Sequence, residues 1–240
     1  MSDDYIEDEF DGGIDAALDV SGAQRTPCVL VLDTSSSMRT NGKIDNLNAA
    51  LKGFEQAVNA DEFLRQHILL AVIGFGSDVS LLTDWTQADE FSAPTLEASG
   101  LTSMGEAMRT AHDCVEELRQ NLKSRGTPYT RPWIFLMSDG GPNDDGWQQA
   151  AAESRDACEN KRAVVWPLAI PDAGGVPSAN AAALQSFARS DMQVYEVAGD
   201  YQFDQLFEWL GTSLGALANS TDGQLQLTAP GPVIDTGLND

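Results

Sequence analysis

From Cys28 onward the chain alternates between short runs that are apolar throughout and longer stretches that are apolar at every third or fourth position. The first run, Cys28-Val29-Leu30-Val31-Leu32, is too continuously apolar for a strand with one wet face and predicts a strand buried on both sides. Ile44, Leu47, Leu51, Phe54 and Val58 then recur three and four apart, which predicts a helix with one apolar stripe. A second strand is expected from about His67 to Phe75. The turn residues Gly74, Gly76 and Ser77 lead into Val79–Trp85, expected as an antiparallel hairpin partner at the sheet edge. Met104, Met108, Ala111, Val115, Leu118 and Leu122 trace another amphipathic helix, with Ser103 and Glu106 at the spacing of a capping box. Pro132 opens the strand Trp133–Met137, and Trp147, Ala150, Ala151, Ser154 and Cys158 form a small-residue helix face able to lie close to a sheet. A strand over Ala163–Ile170, a helix from about Asn180 to Arg189, a short strand over Met192–Val197 and a helix bearing Phe203, Leu206, Leu210, Leu214 and Leu217 complete the series.

Strands that alternate with helices in this way are joined by crossovers. The expectation is an α/β fold: a doubly wound, mostly parallel central sheet of about six strands, with one antiparallel edge strand and helices on both faces. One domain spans 25–219. Residues 1–24 form an acidic arm with eight carboxylates before Arg25, and residues 220–240 a tail rich in Gly, Pro and Thr. Tyr5, Ile6, Phe10, Ile14 and Leu18 give the arm only a sparse apolar pattern.

Charge and cysteines narrow the setting. A formal net charge of −23 repels phosphate backbones and anionic lipid and argues against direct nucleic-acid or membrane binding. Cys28, Cys114 and Cys158 are scattered singly, as a reducing compartment tolerates, and read as small core residues. The first twenty residues have neither a basic region nor an apolar segment of export type, so a cytoplasmic location is expected.

The chemistry lies where strands end. Asp33-Thr34-Ser35-Ser36-Ser37-Met38 directly follows the first buried strand, and residue alternation is expected to aim Asp33, Ser35 and Ser37 into one space. Thr102 precedes the central helix, and Asp139 follows the strand Trp133–Met137 within Ser138-Asp139-Gly140. In an open α/β sheet such loops converge at the carboxyl ends of the strands where the winding reverses. Carboxylates and hydroxyls are hard donors suited to Mg²⁺, with Mn²⁺ or Ca²⁺ as alternatives, and two carboxylates nearly balance a doubly charged ion. Taken alone, each motif is equally a turn or a helix cap. Asp144 and Asp145 read as helix N-terminal charges rather than ligands.

These motifs resemble the metal-ion-dependent adhesion site of von Willebrand factor A (vWA) domains, and the element order over about 27–218 is similar to that domain's. The resemblance implies a non-catalytic interaction module whose metal bridges to an Asp or Glu of a partner protein. Asp33–Met38, the Trp133–Gly141 run and Asn143–Trp147 look like the bacterial TerY-like branch. That likeness implies a stress-response or tellurium-resistance setting beside a kinase and a phosphatase. Ser36 departs from the family, which commonly has Gly there; if the position required positive φ, the serine would cost roughly 1 kcal/mol. The acidic arm is expected to compete internally for the metal site.

Enzyme readings find less support. There is no dinucleotide or P-loop glycine motif. A haloacid-dehalogenase-type phosphatase wants an aspartate where Ser35 stands, which leaves a metal-dependent hydrolase as a distant alternative. His67 and His112, the two histidines, fall in a predicted strand and a helix interior. The other alternative is a scaffold or substrate regulated by phosphorylation.

Overall fold

The first apolar run forms β1, Thr26–Asp33, and every one of its residues is buried. That burial is possible because β1 lies between two parallel neighbours, β2 (Ile68–Phe75) on one side and β4 (Trp133–Ser138) on the other. The computed structural model describes residues 23–171, 181–197, 203–219 and 234–235. The expected arm at 1–24 therefore lies almost wholly outside the described residues, as does most of the tail.

Within these residues the sheet order is β3-β2-β1-β4-β5-β6-β7, where β3 is Val79–Gln87, β5 is Val164–Ala169, β6 is Tyr195–Glu196 and β7 is Ile234–Asp235. β3 runs antiparallel to β2 at one edge, as its hairpin turn predicts. β4, β5 and β6 continue in parallel. The six expected strands are joined by a seventh: the two-residue β7, drawn from the stretch assigned to the tail, pairs antiparallel with β6 at the other edge.

The helices are α1 (Lys43–Ala60), α2 (Glu62–His67), α3 (Met104–Ser124), α4 (Trp147–Glu159), α5 (Ala181–Phe187) and α6 (Phe203–Asn219). The stripe Leu47, Leu51, Phe54 and Val58 of α1 packs with Leu206, Phe207, Leu210 and Leu214 of α6 against Leu30, Leu32, Leu70 and Phe135. On the opposite face α3, α4 and α5 cover Val29, Val31, Ile73 and Leu136 through Met108, Val115, Leu118, Ala150, Ala151 and Phe187. Successive strand residues supply the two faces alternately, so one buried strand serves both cores.

α2 was not expected. Asp61 accepts from Leu64 N at 2.9 Å and starts this short helix, and His67 closes it with its ring stacked on Phe63 at 4.0 Å. The second strand therefore begins at Ile68 rather than His67.

Candidate metal centre

The winding of the sheet reverses between the parallel strands β1 and β4: the connection leaving β1 goes to β2, on the side away from β4, and the crevice opens above their carboxyl ends. The register Leu32↔Met137 sets Asp33 beside Ser138. Asp33 is fully buried, which would be costly for a bare carboxylate. It is held instead by Ser138 Oγ, which donates to Oδ2, and by Ser35 N, which donates to Oδ1 at 2.7 Å. Burial pushes the Asp33 carboxyl up to about 6, against the downward pull of the Ser138 and Ser35 hydrogen bonds, and the nearby Asp139 adds to the rise.

Strand-like alternation does not persist through Ser37, as the sequence pattern suggests it should. Ser35 is extended (φ −65, ψ 166), and the chain then tightens into 3-10 turns over Ser36–Gly42, kinked at Thr40 and Asn41, with Met38 N donating to Ser35 O at 3.1 Å and the Met38 side chain buried. The tight turn brings Ser37 back beside Ser35, their Oγ atoms 2.9 Å apart. Ser37 Oγ donates to Asp139 Oδ1 at 2.6 Å. Asp33, Ser35, Ser37 and Asp139 thus form one connected set.

Ser36 carries none of the backbone strain considered above. Asn41 and Lys161 are the positive-φ non-glycine residues among those described. Ser36 instead donates from both N and Oγ to Gly100 O, at 3.1 and 2.9 Å, and ties the first motif to the loop that carries Thr102.

Thr102 reaches the same rim by a different route. Its N donates to Asn143 Oδ1 at 2.7 Å, and Asn143 N donates to Thr102 O at 3.0 Å, clasping the loop before α3 to the loop after β4. Its Oγ1 lies 3.8 Å from where a Cβ on Gly140 would stand. The expected capping box fails: Ser103 makes no side-chain cap, and its hydroxyl donates to Ser77 O at 3.1 Å. Asp144 takes over, accepting from Gly105 N and Glu106 N at 3.2 and 3.1 Å. It is a helix N-terminal charge, as the sequence suggests, but for α3 rather than for the helix that follows it.

Sequence reasoning missed Ser138, Asn143 and Lys43. Lys43 Nζ donates to Asp139 Oδ2 at 2.8 Å, with both side chains almost wholly buried.

The donor set suits a small hard cation. Ligands in adjacent octahedral positions about 2.0–2.1 Å from an ion lie about 2.9 Å from one another. The Ser35–Ser37 Oγ separation of 2.9 Å matches that edge. Among the described residues no group of three His, Cys, Asp or Glu side chains is gathered for a metal. A site here depends on hydroxyls together with two carboxylates.

Residues 28–141 match the family model of the von Willebrand factor type A domain. That part of the chain is similar to a vWA domain. The matched stretch runs from β1 to just past Asp139 and so includes all three motifs. Among solved structures, a von Willebrand factor type A protein from Catenulispora acidiphila superposes with TM-score 0.60 at 16% identity, covering 80% of this chain and 43% of that one. The open conformation of the pilus adhesin SpaC from Lactobacillus rhamnosus GG gives TM-score 0.61 at 14% identity, over 81% of this chain and 30% of SpaC. The vWF domain of the type V pili tip protein Mfa5 from Porphyromonas gingivalis gives TM-score 0.60 at 12% identity, over 87% of this chain and 99% of that domain. At such identities the likeness is one of fold. The chain spans less than half the length of the Catenulispora and SpaC structures. No curated protein matches the sequence.

Elsewhere among the described residues the histidines serve the fold. Ser154 Oγ donates its proton to Phe187 O at 2.7 Å, so at 2.8 Å it accepts from His112 Nε2. Burial, with Arg162 nearby, pushes the His112 imidazole down to about 4. A fully buried serine already committed to a carbonyl is not a nucleophile. Burial likewise pushes the Cys114 and Cys158 thiols up to about 11. No helix among the described residues is long and apolar enough to cross a membrane.

Proposed function

We propose that this chain carries a vWA domain that serves as a non-catalytic interaction module. It binds a divalent cation, Mg²⁺ or alternatively Mn²⁺ or Ca²⁺, through Asp33, Ser35, Ser37, Thr102 and Asp139, and holds an Asp or Glu of a partner protein at the remaining coordination position. The observation that carries the reading is the Ser35–Ser37 Oγ separation of 2.9 Å, the edge expected between ligands of one small ion, with Ser37 Oγ hydrogen-bonded to Asp139 Oδ1.

When bound, the cation supplies a Lewis-acidic position for a carboxylate. The protein supplies the geometry: Ser138 fixes Asp33, the 3-10 turn presents Ser35 and Ser37, and the Asn143 clasp sets Thr102 at the rim. Leu101, 62% exposed beside Thr102, offers an apolar contact next to that position. The Trp133–Gly141 and Asn143–Trp147 runs support a place in a bacterial, cytoplasmic stress response of the tellurium-resistance type, beside a kinase and a phosphatase.

Water-proton relaxation with Mn²⁺ as the probe tests the carboxylate step. Bound Mn²⁺ that keeps exchangeable water should give an enhanced relaxation rate, and an Asp- or Glu-bearing peptide should lower it by displacing that water. An enhancement that such peptides leave unchanged would remove the partner-holding role.

A further inference from the structure

Lys43 is the first residue of α1, which follows Gly42 in the left-handed region at φ 70. A cation in the first turn opposes the helix dipole. Burial to 1% exposure also strips its ammonium of water. Two unfavourable placements coincide on one side chain, and that side chain reaches Asp139 Oδ2 at 2.8 Å while Ser37 occupies Oδ1. The domain has thus built a fixed positive charge into the cluster that would receive a cation.

We propose that Lys43 is an internal counter-ion that sets the strength of cation binding at this site, a role that rests on the metal reading above. In the metal-free domain its ammonium neutralises Asp139 and lets two carboxylates, Asp33 and Asp139, share a buried crevice. An incoming cation meets a like charge a few ångströms away, so affinity is held down. The same charge shifts the loaded site one unit toward positive and strengthens its hold on an anionic side chain. Cation and partner carboxylate are therefore coupled: each is retained better in the presence of the other.

A purely structural lysine makes the opposite prediction, because removing it would leave Asp139 misplaced and the cation bound less tightly. Calorimetric Mg²⁺ titration and thermal melting of the full chain, in EDTA and in saturating Mg²⁺, separate the two for Lys43→Met and Lys43→Gln. The glutamine variant keeps an N–H for Asp139 and safeguards folding.

Both variants should bind Mg²⁺ at least tenfold more tightly than wild type, melt lower in EDTA, and gain more melting temperature from Mg²⁺. Folded variants that bind Mg²⁺ equally or more weakly, beside a wild type that binds it, would overturn the counter-ion role alone. A wild type that takes up no Mg²⁺ would overturn the metal site and this role together.

Discussion

A carboxylate with no exposed surface at the end of a central strand survives only if its oxygens are satisfied, and at Asp33 that duty falls to Ser138 Oγ and Ser35 N. Ser138→Ala removes the side-chain donor and leaves a buried acceptor short of a partner. It should cost about 1–3 kcal/mol in urea unfolding, with the fold retained. A loss within a few tenths of a kcal/mol would mean that the Ser138 contact contributes little. At this scale the sequence was informative where chemistry is local: Asp33, Ser35, Ser37 and Asp139 sit in short motifs directly after apolar runs. Lys43 and Asn143 were silent because their roles are tertiary. The partners of Lys43 and Asn143, Asp139 and Thr102, lie 96 and 41 positions away. A lysine opening a helix otherwise reads as a solvated charge.

Between elements, the contact of α3 with α4 shows how periodicity can be right while the polar details go elsewhere. The apolar stripe of α3 is buried as expected, yet its cap comes from Asp144, ahead of α4, because Ser103 is drawn to Ser77 O. The same contact carries a pH dependence through His112. Its pKa falls from 6.5 to about 4 in the fold, chiefly by burial. The native state therefore binds its proton less readily than the unfolded chain does. The stabilisation is fully present above pH 6.5 and is lost progressively as pH falls toward about 4. Between pH 7 and 4.5 wild type should lose about 2 kcal/mol more than His112→Gln, which keeps a donor for Ser154 without a titrating ring. Asp33 titrates in both proteins, so the difference isolates His112. Parallel pH profiles for the two proteins would contradict the assigned shift. Helix α2 and the 3-10 turn were not legible from the sequence. The first is too short to show a period, and the second follows from local hydrogen bonds and the buried Met38.

For the whole molecule, continuous apolar runs marked the doubly buried strands and three-and-four spacing marked the covering helices, so the layered α/β plan was readable before any contact was known. The switch point followed from that plan, because β1 has β2 on one side and β4 on the other. The seventh strand was not readable: two residues beyond a Gly- and Pro-rich stretch carry no periodicity. The central claim is that the carboxyl ends of β1 and β4 form a divalent-cation site. Isothermal titration of Mg²⁺ into EDTA-stripped wild type, Asp33→Ala and Asp139→Ala measures it directly. Saturable binding by wild type that is lost in both folded variants is the predicted result; binding of equal strength in all three, or in none, would contradict it.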